Sequence, residues 1–380
     1  MKLTEDFNEI PTLGFITSTQ FAMRIWNLST VLRSIHGLHI IPPNLEFEWM
    51  RLENEVKSKA KSIIGIPSSL KEDLVAVIIP IGKHIKEIRL FLHFSPDIEN
   101  LPYLSYLHHW TLYGTVDTES FERMLANDRR LSNWFRFSLA CNDCFEDIID
   151  EVFELVKDKA IKYKGFTSSR EMQIYWTFRK TGDVRSFVST VRPPSENIVR
   201  SNYTAEELAF MHSIKKRNRA GIEYFLNYLP RHRVENITEE HFSSLIDTIV
   251  YGGFLALPAR LEEQRCDALY FLLSRLNGNV RDNILRQNAF LVLNNFLRYP
   301  FFGLFDKYAT LLVSHLKEDN TLDLIRRIVL LQFQNEHLFG YELFKDFWSI
   351  CPEEHKTYVK KECITYHFPG QGLVLSAIEM

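Results

Sequence analysis

Two cysteine–histidine pairs stand near the end of the chain, Cys351-x3-His355 and Cys363-x3-His367. Thiolate sulfur and imidazole nitrogen are zinc's usual protein ligands, and i, i+4 spacing puts each pair on one face of a helix. Four such ligands would complete a tetrahedral structural site. Only seven residues separate the pairs, which is short for a finger loop, and no knuckle glycine accompanies them. Surface histidines beside partly buried cysteines are therefore the plainer expectation, with zinc at Cys351, His355, Cys363 and His367 as the alternative. Cys141-x-x-Cys144 has the spacing of a thiol-exchange or zinc pair. Zinc would need a second pair and exchange would need a βαβ setting. Both residues fall on an apolar helical stripe, so a packing role is expected.

Other chemistry is sparse. No H-E-x-x-H, G-x-S-x-G, Walker-type loop or dinucleotide fingerprint occurs. Asp143, Glu146, Asp147, Asp150, Glu151 and Glu154 crowd one predicted helix, where a solvated face is the expected role. Basic runs at 157–164, at Lys215-Lys216-Arg217 with Arg219, and at 231–233 could touch RNA or an acidic partner. Yet Lys+Arg number 45 against 48 Asp+Glu, a net charge of −3. Phosphate-tracking binders depend on clustered positive charge, so nucleic-acid binding is disfavoured. We expect no enzymatic activity and no cofactor.

These residues must be positioned by helices. The chain has 380 residues, 46% hydrophobic and 13% aromatic, enough for a substantial core. Residues 136–156, 208–229 and 288–316 carry apolar side chains at helical spacing, and no βαβ rhythm is visible. The longest apolar stretch, Leu74–Ile81, is interrupted by Pro80 and far below the ~20 residues of a membrane span. Acidic residues follow Met1-Lys2-Leu3 where a secretory signal needs an apolar run, and the five cysteines are few. A cytoplasmic, or else nuclear, location is expected, with no membrane association.

A module recurs along the chain: a first helix, a polar or glycine break, then a second helix ending in bulky apolar residues. First-helix anchors at Trp110, Leu139, Trp176, Met211, Ile246, Leu293 and Leu331 stand 29, 37, 35, 35, 47 and 38 residues apart. The longest gap holds an extra helical pattern, Leu261–Leu276. A period in the middle thirties with two helices per unit is the mark of an α-solenoid. In the copy from Arg136, Phe137, Leu139, Ala140 and Cys141, then Ile148, Ile149, Val152 and Phe153, match the ankyrin helix pair, with Cys144 where glycine is usual. His108, Gly114 and Met124-Leu125 fit in another copy, and Gly182-Asp183-Val184 resembles the ankyrin break. The chain thus resembles degenerate ankyrin repeats over roughly residues 100–350. No copy has the T-P-L-H opening, and most lack the glycine.

Residues 1–100 do not follow the period. Pro11, Pro42-Pro43, Pro67, Pro80 and Pro96 mark expected helix boundaries; Glu46–Ile63 reads as a helix and Ser68-Ser69 begins another. The expected organisation is an all-α solenoid of about seven antiparallel helix pairs. It comprises an N-terminal helical cap (1–100), the repeat array (101–350) with a loop or break near 191–202, and a C-terminal cap and irregular tail (351–380). Such an array presents a curved surface, so a non-enzymatic protein-interaction scaffold is the expected function, with another protein as partner. Tyr113, Arg179, Lys180, Arg217, Tyr299 and Asn335 are the expected exposed turn positions for partner contact.

Overall fold

The computed structural model describes residues 12–38, 44–93, 109–162, 171–199, 202–246, 262–333, 337–365 and 371–379. Among them are twenty α-helices and no strand, so the fold is all-α, as the periodicity predicts. No described helix is long and apolar enough to cross a membrane. The described residues divide into two compact units. One lies within Met1–Phe94, Pro102–Val116 and Leu285–Met380, the other within Asp117–Ile284. This division is drawn differently from the expected 1–100, 101–350 and 351–380, and it leaves the 191–202 segment inside the second unit.

The first unit opens with α1 (Leu13–Trp26), α2 (Ser29–Gly37), α3 (Asn44–Ser62) and α4 (Ser68–His93). Pro80, expected to end a helix, lies inside α4. Proline costs a helix interior ~3 kcal/mol. Here Leu74, Val77, Ile78, Ile79, Ile81, Ile85 and Ile88 are all buried, and α4 packs on α1 and α3. That apolar burial, at ~1.5–3 kcal/mol per side chain, outweighs the lost bond. Trp26 stacks on Trp49 at 5.6 Å, and its Nε1 donates to the Ile78 carbonyl at 3.0 Å. The same indole lies over Gly82, where any Cβ would come within 2.3 Å of it.

The second unit runs through α5 (Thr118–Asn127), α6 (Asn133–Asp143), α7 (Glu146–Lys162), α8 (Glu171–Lys180) and α9 (Arg185–Thr190). It continues with α10 (Ala205–Lys215), α11 (Arg219–Tyr228), α12 (Arg231–Ile246) and α13 (Glu262–Arg275). Helices α6, α8, α10 and α12 touch in succession, carrying the anchors Leu139, Trp176, Met211 and Ile246. Helix α11 packs on α13 and also on α6. The extra pattern at Leu261–Leu276 is α13. The segment 191–199 is a loop tied to α10: His212 Nε2 meets the Arg192 carbonyl at 3.0 Å, and Lys215 Nζ donates to the Pro194 carbonyl.

Three helix-pair turns in this unit share one backbone geometry. Cys144, Gly182 and Arg217 have φ of 58°, 77° and 53°. The N–H of the following residue reaches back five positions each time: Phe145 to Ala140 at 2.9 Å, Asp183 to Phe178 at 3.0 Å, Asn218 to Ser213 at 2.9 Å. A left-handed residue followed by this bond satisfies carbonyls that a helix end leaves open. From 144 to 182 is 38 residues and from 182 to 217 is 35. Caps set helix starts by the same economy of bonds. Ser132 accepts from the Phe135 N–H, and Thr204 with Glu207 forms a reciprocal capping box.

Helix α14 (Gly278–Gln287) carries the division between units. The first unit resumes with α15 (Ala289–Phe296), α16 (Phe302–Leu312), α17 (Glu318–Phe333), α18 (His337–Ile350), α19 (Glu353–Thr365) and α20 (Gln371–Glu379). Here α15, α17 and α19 touch in succession, α16 packs on α18, and α19 on α20. The tail expected to be irregular therefore contains a helix, α20; its QGLVLSAIE run holds enough apolar positions to pack on α17 and α19. Trp110 was matched with Trp176 as a first-helix anchor, but it lies in an isolated antiparallel bridge with Val116. Gly114, at φ 71°, closes that turn, and the Thr111 N–H donates to the Thr115 carbonyl at 2.9 Å. A helix cannot form across such a left-handed reversal.

Candidate functional site

Four acidic residues of α7 are engaged by neighbouring helices. Asp147 takes Arg123 of α5 at 2.9 Å, Glu151 takes Arg136 of α6 at 2.9 Å, Glu146 takes Arg179 of α8 at 3.3 Å, and Asp150 pairs with Lys180. The stripe is a solvated face, as expected, with Asp147, Asp150, Glu151 and Glu154 exposed, and it carries inter-helix ion pairs as well. Three of the basic residues are committed to ion pairs as well. Lys216 pairs with Glu171 at 3.0 Å, Arg219 with Asp267 at 2.9 Å, and Arg233 with Glu207 at 2.6 Å.

The densest of these contacts surrounds Arg179, in the last turn of α8. Its guanidinium lies 5.2 Å from the Trp176 ring, 5.9 Å from Tyr224 and 5.3 Å from Tyr228. Nη1 donates to Tyr175 Oη at 2.9 Å and Nη2 to Glu146 Oε1 at 3.3 Å. Glu146 also accepts from Tyr224 Oη at 3.0 Å and Tyr228 Oη at 3.3 Å. Local sequence builds each wall. Tyr175 and Trp176 precede Arg179 by four and three residues on α8, and Tyr224 and Tyr228 are i, i+4 on α11. Glu146 opens α7 and Arg179 closes α8, so both charges suit the helix dipoles.

Trp176 is fully buried and forms the floor, edge-on to Tyr224 at 5.4 Å. Among the described residues, none accepts from its Nε1. Tyr228, half exposed, forms the rim. Burial pushes the Tyr175 hydroxyl up to about 12 and raises Tyr224 as well, so both phenols stay protonated, Tyr175 Oη accepting from Arg179 and Tyr224 Oη donating to Glu146. What this arrangement can do is hold a flat cation between π faces and acceptors.

The residues expected to contact a partner fall in different places. Arg179 lies in this cluster, whereas Lys180 pairs with Asp150, one turn along α7 from Glu146; each is about a quarter to a third exposed. Arg217 is buried rather than exposed, because its left-handed backbone turns the side chain inward to donate to the Ile246 carbonyl. Tyr299 is buried too: its ring stacks on Phe15 and its hydroxyl donates to the Tyr113 carbonyl at 2.8 Å. Tyr113 is half-buried. Asn335 lies outside the described residues.

Of the cysteine–histidine group, Cys351 follows α18, and His355 and Cys363 lie on α19; all three are buried. His355 Nδ1 meets Thr321 Oγ1 of α17 at 2.8 Å, and burial pushes the Cys351 thiol up to about 12. His367 lies outside the described residues. Among those described, no three His, Cys, Asp or Glu residues group as metal ligands would. Cys141 and Cys144 are both buried, and burial raises the Cys141 thiol well above its ordinary range.

Sequence reasoning named Arg179 and Lys180, and it noted Glu146 and Trp176 for other reasons. It passed over Tyr175 and Tyr228. The i, i+4 pairs Tyr175/Arg179 and Tyr224/Tyr228 were the available signal. Compared with known proteins, the chain matches no family model, no curated protein and no solved structure.

Proposed function

We propose that this chain is a non-enzymatic protein-interaction scaffold, an α-solenoid of about seven degenerate helix pairs of ankyrin-like type. The observation that carries this reading is the recurrent left-handed turn at Cys144, Gly182 and Arg217, each closed by the same five-residue backbone bond. The succession α6–α8–α10–α12, and separately α15–α17–α19, supports it, because a solenoid rests on contacts between neighbouring pairs. Burial raises the Cys141 and Cys351 thiols and lowers His212 to about 4, which disfavours the thiolate at two cysteines and the imidazolium at one histidine.

In this reading the Arg179 cluster is the partner surface. Aromatic and arginine side chains carry a disproportionate share of interface energy. Crosslinking of the full chain, followed by affinity measurement on the recovered protein, tests it. A protein partner bound by the wild type and weakened about tenfold or more by Tyr228→Ala is the expected result. A partner indifferent to Tyr228→Ala, or no protein partner at all, overturns it. Small-angle scattering tests the solenoid: an elongated particle is expected, and a globular one overturns that part. Zinc at Cys351, His355, Cys363 and His367 would appear as stoichiometric metal lost on Cys351→Ser.

A further inference from the structure

The Arg179 cluster already holds a ligand, and that ligand is part of the chain. We infer that the box formed by Trp176, Tyr224, Tyr228, Tyr175 and Glu146 is a receptor for an arginine side chain of a partner protein, with Arg179 as the built-in occupant that the partner's arginine displaces. The inference rests on the scaffold reading above and supplies its ligand chemistry.

The geometry selects guanidinium over ammonium. Three rings lie 5.2–5.9 Å from the guanidinium carbon, while two acceptors on different helices, Tyr175 Oη and Glu146 Oε1, take separate N–H groups. A planar fork with several donors meets such a set; a lysine's single nitrogen cannot face all three rings and both acceptors together. The box also opens outward. Arg179 is 30% exposed and Glu146 40%, and Tyr228 forms a half-exposed rim, whereas Trp176 at the floor is buried.

Exchange leaves no charge stranded. The incoming guanidinium would pair with Glu146 and Tyr175 as Arg179 does, so no buried acceptor loses its donor. The released Arg179 would stand in water at the C-terminal end of α8, where the helix dipole favours a cation. The box therefore contributes selection of arginine, and contacts flanking that arginine contribute affinity. Self-occupancy lowers the apparent affinity in proportion to the fraction of time the box is closed.

The experiment titrates N-acetyl-arginine amide and N-acetyl-lysine amide into the full chain labelled with fluorotryptophan. The Trp176 resonance is assigned through Trp176→Phe. Arg179→Ala is expected to bind the arginine probe at least about tenfold tighter than wild type. Glu146→Gln in that background is expected to abolish binding, and the lysine probe to bind at least about tenfold more weakly. Wild type should show the same Trp176 shift at higher arginine concentration. Should Arg179→Ala fail to fold, Arg179→Lys makes the same comparison, since it keeps the charge but vacates the forked contacts. An unmoved Trp176 resonance, or equal response to lysine, overturns the inference. That outcome is distinct from failure of the scaffold reading, which turns on the recovered partner's response to Tyr228→Ala.

Discussion

The α1–α4 helices and the turns joining α6 to α11 answer one problem, holding helices at close range, with different chemistry. Between α1 and α4 the answer is a ring against a bare backbone: Trp26 over Gly82, backed by Trp49. Between α6 and α11 buried rings such as Tyr175 and Phe225 are joined by left-handed turns, caps and ion pairs, with Asn218 both capping α11 and donating to the Asn142 carbonyl. Apolar packing concentrates energy in a few large side chains. Polar closure spreads it over many bonds of ~0.5–1.5 kcal/mol each. The second region can therefore exchange one bond for another, as the Arg179 box requires, whereas the first cannot lose its ring.

The largest effect should fall on the ring. Trp26→Ala is expected to destabilise the chain by ~3–5 kcal/mol, read as a lowered urea midpoint. Gly82→Ala should do less but still harm, by ~1–3 kcal/mol, since the new methyl must displace a buried indole. If either left the midpoint unchanged, the contrast between concentrated and distributed packing would fail on its apolar side.

A buried imidazole in the polar region predicts pH dependence of comparable size. His212 is lowered to about 4, chiefly by burial and also by Lys216 and Lys215, with Glu171 and the Arg192 carbonyl pulling the other way. Its unfolded value is near 6.5. Between these the unfolded chain binds more protons, so stability falls as pH drops from about 6.5 to about 4, by up to ~3 kcal/mol in total. Glu171 extends the fall to lower pH, below about 4.5: although burial opposes it, Lys216 holds its carboxyl low, and protonation loses that contact. His212→Gln should flatten the stability profile over pH 4–6.5. An equally steep profile in the variant would place the dependence elsewhere.

Gly221 tests close approach within the polar region. A Cβ there would come within 2.6 Å of Ser213 Oγ and 3.0 Å of its Cβ. Gly221→Ala should cost ~1–3 kcal/mol, and Ser213→Gly in the same chain should recover part of that loss. Additive costs in the double variant would show that the two side chains do not meet.

Helix positions were legible because large apolar residues recur at 3.6-residue spacing. Leu139, Trp176, Met211 and Ile246 fall on the succession α6, α8, α10 and α12, and Leu261–Leu276 on α13. Features that depend on packing at a distance were not. Pro80 stays helical because α1 and α3 cover α4, and Arg217 and Tyr299 are buried by partners 29 and 186 residues away. The Arg179 box joins residues from α7, α8 and α11. Its two i, i+4 pairs were visible in sequence, but the meeting of α8 with Glu146 and the α11 tyrosines was not.

The smallest effect bears most directly on the shared turn. A residue with a Cβ pays ~1 kcal/mol or more in the left-handed region, whereas glycine does not. Cys144 stands where Gly182 stands one turn later, with the same backbone bond to the residue five back. Cys144→Gly should then stabilise the chain by up to ~1 kcal/mol, less whatever its buried sulfur contributes to packing. Gly182→Ala should destabilise by a similar amount, and strain is the cause to expect, because no atom lies within 4 Å of the Cβ it would add. Opposite signs at equivalent positions are what a common turn geometry demands. Equal signs in urea unfolding would mean that the two turns, alike in their hydrogen bonds, are held by different forces.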